Sequence, residues 1–234
     1  MSRIYSPGNT AKQWIAEQII HNASQSIRVL DLACGRAWIW KDVLTDYPSI
    51  SVVGLDTDKK AIQKGKRGYD GYLNIDLRVF DAQKSIQDSS FDVVTAFSAM
   101  EHVVNHEAFL KTVWNALSSG GVAFLNYDAG HFRSRNLKER MMVPISQLLA
   151  KIGIEGPYMK QVNDREFVAL ARKQGFEVKM IRKHNIMQIK GFMKGAEGDA
   201  IRSWISFEED LGRQYAPKDL DALMLSTTVV LQKP

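Results

Sequence analysis

The sequence Val29-Leu30-Asp31-Leu32-Ala33-Cys34-Gly35-Arg36-Ala37 is the stretch that decides the fold. It reads as an apolar strand that runs into a turn of small residues, after which a helix begins. In doubly wound sheets, ligands bind beyond the carboxyl ends of the strands, which is where this turn lies. Ala33 and Gly35 let a ligand approach the backbone closely, and the N–H groups at the start of the following helix can receive an anionic group.

Short apolar runs alternate with amphipathic segments on both sides of this stretch. We predict an opening helix over Thr10–Ser24. Asp58 is expected to be the N-cap of the helix that begins at Lys59, and Gly120-Gly121 is expected to end the helix that begins at Asn105. The predicted strands of this half are Ile27–Ala33, Ile50–Asp56, Leu73–Asp81, Phe91–Ser98 and Gly121–Asp128, with helices between them at Trp38–Tyr47, Lys59–Arg67 and Asn105–Ser118. Alternation of this kind is typical of a parallel sheet with right-handed crossovers.

The second half of the sequence has a looser pattern. Two further strands are predicted at Phe176–Asn185 and Ser226–Gln232, and helices at Phe132–Lys151 (broken by Pro144), Asp164–Gln174 (ending at Gly175) and Ala200–Gln214. The prediction is therefore an α/β fold: one domain over residues 1–234 with a doubly wound, mostly parallel, seven-stranded, Rossmann-like sheet. Residues 25–128 form its ligand-binding core, and residues 129–160 and 186–224 are expected to be insertions that act as substrate lids.

Composition narrows the class of protein. The 234 residues carry a formal charge of +5 and one cysteine, Cys34, so an intramolecular disulfide and a cysteine-based zinc site are excluded. No apolar run approaches the roughly 18 residues that span a bilayer, and Met1 to Gln13 lacks a signal-peptide core. A reducing cytoplasm is the expected location. The basic segments Lys59–Arg67, Arg133–Arg140 and Lys179–Lys194 fit either solvated helix faces or a nucleic-acid surface.

Asp56 gives the first indication of the ligand. It lies 21 residues beyond Gly35, at the end of the second predicted strand, where an acidic side chain can accept hydrogen bonds from ribose hydroxyls. A dinucleotide-binding turn needs a small residue where Trp38 stands, and no P-loop pattern is present. The ligand is therefore expected to carry a ribose and a small anionic group but no phosphate chain.

The motifs of residues 27–128 resemble those of the class I S-adenosylmethionine (SAM)-dependent methyltransferases. Asp31-Leu32-Ala33-Cys34-Gly35 is similar to their first motif, with Ala37 in the place of the last glycine. The other resemblances follow in the family's order, and they are Gly54-Leu55-Asp56, Phe80-Asp81-Ala82, Phe91-Asp92-Val93-Val94 with Ser98-Ala99-Met100-Glu101-His102-Val103, and Leu117-Ser118-Ser119-Gly120-Gly121, in which Ser119 replaces a proline.

This resemblance implies SAM as cofactor, with S-adenosylhomocysteine as product, and a role for each motif residue. Asp31 would support the amino group of SAM, Asp56 would hold its ribose, and Asp81 with the backbone of Ala82 would meet its adenine. Ala33 and Gly35 would line the methionine end, and Ser98 would lie beside the sulfonium. The alternatives are that Asp31 only caps the turn, that Asp56 caps a helix, and that Ser98 is an ordinary turn residue.

The catalytic and substrate-binding residues are less constrained by the motifs. His102 and His131 are candidate general bases, needed where the nucleophile arrives protonated, although packing explains His102 equally well. His21 and His106 are expected at the surface. Candidates for contact with the acceptor are Tyr127, Asp128, Phe132 and Tyr158, with Tyr5 folding over the cofactor. Some related O-methyltransferases carry Glu-x-x-Glu-His for a metal, but Ser98 replaces the first Glu here, so no metal is expected.

Three functions remain open from the sequence. The first is methylation of a small molecule at oxygen, nitrogen or carbon. The second is methylation of RNA or protein, which is less favoured because no Asn/Asp-Pro-Pro-Tyr/Phe signature follows the fourth strand, where Ser98-Ala99-Met100-Glu101 stands. The third is a non-catalytic SAM-binding protein. The expected partner is therefore a small-molecule methyl acceptor, with no membrane span, and the oligomeric state stays open.

Overall fold

A computed structural model describes residues 8–21, 25–84, 86, 90–129, 132, 137–154, 158–186, 193 and 195–234, and the side chains of 137–140 are not described. The strands are β1 (Ile27–Leu32), β2 (Ile50–Asp56), β3 (Ile75–Val79), β4 (Phe91–Ala96), β5 (Leu117–Asp128), β6 (Glu177–His184) and β7 (Ser226–Gln232). The helices are α1 (Thr10–His21), α2 (Trp40–Asp46), α3 (Lys59–Gly68), α4 (His106–Ala116), α5 (Leu137–Lys151), α6 (Asp164–Gln174) and α7 (Gly198–Gln214). Short 3-10 turns lie at Met100–His102 and Pro217–Leu220.

The seven strands form one sheet in the order β3-β2-β1-β4-β5-β7-β6. The pairs from β3 to β5 are parallel, whereas β7 runs antiparallel to both β5 and β6. This arrangement confirms the predicted doubly wound, mostly parallel fold. The strand order reverses beside β1, where the chain returns from β3 to β4. A crevice at such a switch point is the usual ligand site of these sheets.

Two apolar layers cover the sheet, one on each face. Phe109 of α4 and Phe167 of α6 belong to one buried cluster, and Trp14 of α1 and Trp40 of α2 belong to the other. Because both faces are covered, the central strands carry nearly continuous apolar residues rather than an alternating pattern. This burial explains why the strands were recognisable in the sequence. No helix among the described residues is long and apolar enough to cross a membrane.

The helix ends agree in part with the predicted signals. Asp58 caps α3 by accepting hydrogen bonds from the backbone N–H groups of Lys60 and Ala61, and Gly175 ends α6 in the left-handed conformation. Both predictions are confirmed. Capping of this kind satisfies backbone donors that have no partner within the helix.

Gly120 and Gly121 do not end helix α4, so the prediction that they stop this helix was wrong. Helix α4 already ends at Ala116, because Leu117 turns to extended backbone, is fully buried and pairs with Phe91 of β4. Both glycines lie inside β5. A Cβ atom at Gly121 would come 2.9 Å from Leu117 Cδ2 and 3.0 Å from the Ser118 carbonyl oxygen. The glycine is therefore needed for close packing and not as a helix stop.

Helix α5 also differs from the prediction, because it is not broken at Pro144. The helix runs from Leu137 to Lys151 with the proline inside it. The fixed φ of proline is compatible with helical backbone, and the cost is one main-chain hydrogen bond and crowding against the preceding turn. The helical pattern of the neighbouring residues outweighs this cost here.

Candidate functional site

Two neighbouring cavities open at the carboxyl edge of the sheet, around the switch point. The first, of about 440 Å³, is lined by Ala33, Asp56, Thr57, Phe80, Asp81, Ala82, Gln83, Ser98, Ala99, His102, Val103 and Phe109. The second, of about 240 Å³, is lined by Lys12, Asp31, Ala33, Cys34, Gly35, Arg36, Trp38, Ile39 and Phe97. Ala33 lines both. All seven motif residues that the sequence suggested for the cofactor therefore lie around this pair of cavities.

The turn after β1 is built for a close approach to the backbone. Ala33 and Gly35 adopt φ values of 55° and 58°, in the left-handed region. Gly54 of β2 lies directly beneath the turn, and a Cβ atom there would come 2.9 Å from Cys34 Sγ and 2.5 Å from Leu77 Cδ2. The glycine of the second motif thus lets β2 pack against the turn, and side-chain bulk at Gly54 would displace it.

Asp56 is oriented by two backbone donors. Its Oδ2 accepts a hydrogen bond from the Gly35 N–H at 2.7 Å, and its Oδ1 accepts one from the Asp58 N–H at 2.7 Å. These bonds tie the end of β2 to the turn after β1, and the residue lines the first cavity. Since Asp58 supplies the N-cap of α3, Asp56 is not its side-chain cap.

Asp31 is a buried carboxyl group at the wall of the second cavity. Only 1% of its surface is exposed. It accepts hydrogen bonds from Trp40 Nε1 at 2.7 Å and from Thr95 Oγ1 at 2.9 Å. Burial raises the pKa of this carboxyl to about 7, against the lowering effect of those bonds. Side chains from α2 and β4 thus fix its orientation.

Lys12 is a site residue that the sequence reasoning missed. It projects from α1 into the second cavity, and its Nζ lies 5.0 Å from the centre of the Trp38 ring. Its positive charge lowers the pKa of Asp31, opposing the larger effect of burial. No motif marks this lysine, because its position depends on how α1 packs against the sheet. The only signal in the sequence is a basic residue near the start of the helix before the first strand.

Asp81, Ala82 and Ser98 line the first cavity. The structure brings Asp81 and Ala82, which follow β3, to the same cavity as Asp56, and Asp81 Oδ1 accepts a hydrogen bond from the Gln83 N–H at 3.0 Å. Ser98 follows β4, which ends two residues earlier at Ala96, and it has a φ of 49°. Because Phe97 lines the second cavity and Ser98 the first, this turn lies where the cavities adjoin.

His102 lies on the 3-10 turn and lines the first cavity. Its Nδ1 is 3.0 Å from the carbonyl oxygen of Tyr158. A carbonyl oxygen only accepts hydrogen bonds, so Nδ1 carries the proton in this bond. In the neutral ring, Nε2 is then the basic nitrogen. The geometry therefore selects the tautomer in which Nε2 can accept a proton.

Tyr158 contributes its backbone to this site. Its side chain is buried and lines none of the three cavities described here. The next two residues extend the connection. The Met159 N–H donates a hydrogen bond to Ser146 Oγ and its carbonyl oxygen accepts one from Gln147 Nε2, both on α5. The Lys160 N–H donates to the Glu101 carbonyl oxygen at 2.9 Å. Residues 158–160 thus fasten the first insertion to the turn that carries His102.

Tyr127 and Asp128 line a third cavity of about 650 Å³, next to Asp164, Lys183 and residues 216–218. The Tyr127 hydroxyl donates to Asp164 Oδ1 at 2.8 Å, and the buried Lys183 ammonium donates to Asp164 Oδ2 at 2.7 Å. The three side chains are thus hydrogen-bonding partners of one another, and burial raises the pKa of Tyr127. The structure therefore separates the two candidate acceptor residues from the first cavity.

Glu101 connects the third cavity to the turn of His102. Its Oε1 accepts a hydrogen bond from the Asp128 N–H at 3.2 Å, and burial raises its pKa to about 8. Within the described ranges, no group of three or more His, Cys, Asp or Glu side chains is placed to hold a metal ion.

The remaining candidates have mixed outcomes. His131 and Tyr5 lie outside the described residues, and Phe132 is half-buried and lines none of the three cavities. His21 is exposed, as expected. The surface position predicted for His106 was wrong, because its Nε2 lies 2.8 Å from the Met100 carbonyl oxygen and burial lowers its pKa.

Comparison with known protein families identifies the part of the chain that lines the first cavity and, apart from Lys12, the second. Residues 30–125 match the family described as "Methyltransferase domain". The protein named "Putative methyltransferase 235L" of Invertebrate iridescent virus 6 is 25% identical over 158 residues, which cover 68% of this chain and 58% of that protein. The ubiquinone biosynthesis O-methyltransferase of Pelagibacter ubique is 28% identical over 102 residues, or 43% of this chain and 42% of that enzyme. The chain thus spans about half the length of these relatives.

The solved structures confirm the fold over nearly the whole chain. Phosphoethanolamine N-methyltransferase 2 of Haemonchus contortus, in complex with SAM, superimposes with a TM-score of 0.66. The match covers 98% of this chain and 54% of that enzyme, at 14% sequence identity. At this identity the likeness concerns architecture, and the chemistry has to be argued from the residues at the two cavities.

Proposed function

We propose that the chain is a class I SAM-dependent methyltransferase, since residues 30–125 match a methyltransferase domain, and that it transfers a methyl group from SAM to an oxygen or nitrogen atom of a small molecule. The observation that carries the proposal is the pair of adjoining cavities, whose charged side chains complement the polar and charged groups of SAM. Asp56 and Asp81 line one, and Lys12 and Asp31 line the other. The ligand they fit has a nucleoside at one end and an amino acid at the other.

Each part of SAM has a counterpart in these walls. Asp81 and Ala82 would hold the adenine and Asp56 the ribose hydroxyls. Asp31 would accept from the ammonium group, and Lys12 would bind the carboxylate as its opposite charge requires. Ala33 lines both cavities, and the neighbouring residues Phe97 and Ser98 line the second and the first, so the sulfonium would lie next to them. The backbone of Ala33 and Gly35 leaves room for this part of the molecule.

The chain's own contribution to the reaction is alignment, exclusion of water and removal of a proton. SAM supplies an electrophilic methyl carbon when it is bound. The walls hold the reactants in line, which lowers the barrier because little orientational freedom remains to be lost. An acceptor hydroxyl releases its proton as the new bond to carbon forms, whereas an acceptor ammonium has to release one proton before its nitrogen has a lone pair with which to attack. His102 would take that proton on Nε2, with the Tyr158 carbonyl oxygen holding the ring through Nδ1.

A small-molecule acceptor is favoured over a polyanionic one. In the basic segment Lys179–Lys194, Lys179 pairs with Glu177, Lys183 is buried between Asp164 and Asp221, and Arg182 is also buried. These cations do not form an open surface for phosphates. The relatives methylate, by their names, oxygen in ubiquinone biosynthesis and nitrogen in phosphoethanolamine, which supports acceptors of either type.

The experiment that tests this proposal is calorimetric titration with SAM, followed by transfer of a radiolabelled methyl group to a panel of small phenols and amines. Asp56→Ala should lose SAM binding by at least tenfold, since it removes charged hydrogen bonds of about 1.5–3 kcal/mol. Asp58→Ala is the matched control. It removes a carboxylate two positions away that caps α3 without lining either cavity, so it should lower stability by about 1 kcal/mol and leave binding intact. Absence of SAM binding by the folded wild type would refute the proposal.

A further inference from the structure

Asn126 of β5 is a buried amide at the centre of the site's framework. Only 1% of its surface is exposed, and it lines neither of the two cofactor cavities. Its side chain contacts two different parts of the molecule. One end of the amide faces the turn after β4, and the other end faces β7, which is the antiparallel neighbour of β5.

The hydrogen bonds fix which way the amide points. The Ser98 N–H can only donate, and it lies 3.0 Å from Asn126 Oδ1. On the other side, Nδ2 donates to the Thr227 carbonyl oxygen at 3.0 Å, to Ser226 Oγ at 3.0 Å and to Thr228 Oγ1 at 3.1 Å. Because a backbone N–H faces one end and a carbonyl oxygen faces the other, only one orientation satisfies both.

The turn that Asn126 contacts needs such support. Ser98 has a φ of 49°, and a residue other than glycine in the left-handed region costs about 1–3 kcal/mol. Ser98 and Ala99 line the first cavity, and the turn leads directly to His102. The main-chain carbonyl oxygen of Asn126 also accepts a hydrogen bond from the Ala99 N–H at 3.1 Å. One residue therefore holds both the strained position and its neighbour.

We propose that Asn126 is a positioning residue, which holds the Ser98 backbone where the two cavities adjoin and so sets the position of the SAM methyl group. This inference rests on the proposed function, since it takes the nucleoside cavity and the amino-acid cavity as the two halves of a SAM site. Asn126 acts through Ser98 and does not touch the cofactor. In an in-line displacement, a misplacement of about 1 Å can cost a factor of about 10² in rate. Asn126 therefore affects the geometry of the bound methyl group more than it affects affinity.

The test uses SAM labelled with ¹³C at the transferred methyl group, which reports its surroundings by NMR without any acceptor. The wild type should give one bound methyl resonance, resolved from that of free SAM. Asn126→Ala should move this resonance by more than its linewidth or split it, while the Kd for SAM stays within about threefold. Asn126→Asp should return it towards the wild-type position, because it retains the oxygen that accepts from Ser98 and its protonated form can donate to Thr227.

Thr228→Val is the matched control. It removes one acceptor at the far end of the same amide and leaves the bond to Ser98 in place. This variant should lower the melting temperature and leave the bound methyl resonance where it is in the wild type. The inference is overturned if Asn126→Ala gives the wild-type resonance, or if Thr228→Val moves it by as much. No bound resonance in the folded wild type would refute the SAM site itself, which is a distinguishable result.

Discussion

At the scale of single residues, we expect the buried carboxyl of Asp31 to couple SAM binding to pH. Its pKa is raised by burial from 3.8 to about 7, so folding takes up a proton between those values, and ionisation at higher pH costs stability. The cofactor's ammonium group favours the ionised form. Binding below pH 7 should therefore release a proton, and the affinity for SAM should rise roughly tenfold between pH 5.5 and pH 7.

Calorimetry in buffers of different ionisation enthalpy measures this proton release directly. Asp31→Asn carries no titratable group, so its SAM affinity should be lower and nearly independent of pH in this range. Both side chains are similar in size, which limits the structural change. A wild-type affinity that does not vary with pH, with no proton released, would mean that Asp31 keeps the same protonation state on binding, which contradicts the prediction.

Lys12 gives a second prediction at this scale, about recognition of the cofactor carboxylate. Lys12→Met keeps the aliphatic stem and removes the charge, so it should weaken SAM binding by roughly tenfold, within the range of about 1.5–3 kcal/mol for a hydrogen bond to a charged group. Decarboxylated SAM lacks the partner of this lysine, and its affinity should change little. Titration of SAM and of decarboxylated SAM into the wild type and into Lys12→Met isolates the contribution of the lysine–carboxylate interaction.

Lys41→Met serves as the control for Lys12, since Lys41 is exposed on α2 and lines neither cavity. It should leave the preference for SAM over decarboxylated SAM as in the wild type. Equal losses for both ligands in Lys12→Met would assign the lysine a structural part only, such as holding α1 against the Trp38 ring.

At the scale of elements, polar contacts hold the part of α5 whose side chains are described, residues 141–151, and several of its apolar side chains are exposed. Ser146 is buried, donates to the Val143 carbonyl oxygen at 2.7 Å and accepts from the Met159 N–H at 3.1 Å. Meanwhile Met141, Ile145 and Leu148 are exposed. A helix with few buried apolar contacts opens locally at low cost. Ser146→Ala should therefore speed hydrogen exchange in residues 141–151 about tenfold, because it removes a buried bond of roughly 1 kcal/mol or more.

Thr45→Ala is a suitable control for Ser146→Ala, since Thr45 also bonds a helix carbonyl, that of Lys41, but lies exposed on α2. It should leave exchange in α5 unchanged. Exchange in β4 and β5 should stay slow in both variants, which separates local opening from global unfolding. Protection of α5 that survives Ser146→Ala would show that other contacts hold the helix.

The elements also show how far sequence patterns reach. Strand β7 was predicted with its observed bounds because its residues are nearly all buried, and α6 because Gly175 gives a local stop signal. The glycines of β5 were misread, since a glycine required for packing against Leu117 looks the same in sequence as one that ends a helix. Pro144 was misread because the pattern of its helical neighbours outweighs one lost bond.

At the scale of the whole molecule, the sequence predicted the cavity-lining residues that lie on motifs and missed the residues around the cavities whose position depends on packing. The motif residues from Asp31 to Ser98 lie at or just beyond the carboxyl ends of β1 to β4, so the topology alone brings them to one edge. The positions of Lys12 and Asn126 depend on contacts across the chain, such as the bond from Asn126 to Thr228, 102 residues away. The antiparallel insertion of β7 between β5 and β6 creates these contacts, and no local pattern encodes it.

The division of the site into two cavities predicts how the whole protein responds to ligands. SAM at about 100 times its Kd should stabilise the fold by about 2.7 kcal/mol, or a rise of roughly 5–10 °C in Tm for a chain of this size. 5′-Methylthioadenosine should occupy only the cavity of Asp56, and methionine only that of Lys12. Because joining the halves spares one loss of translational and rotational freedom, SAM should raise the Tm more than an equimolar mixture of the two fragments.

Thermal unfolding with each ligand, at matched concentrations, measures this difference. Asp56→Ala should abolish the shift caused by 5′-methylthioadenosine and leave that caused by methionine, and Lys12→Met should do the reverse. Such a pattern requires two separately lined cavities that one ligand bridges. If methionine alone matched SAM in every protein, or if both substitutions removed both shifts equally, the fold would be responding to a single site, and the assignment of the nucleoside end to Asp56 and Asp81 would have to be withdrawn.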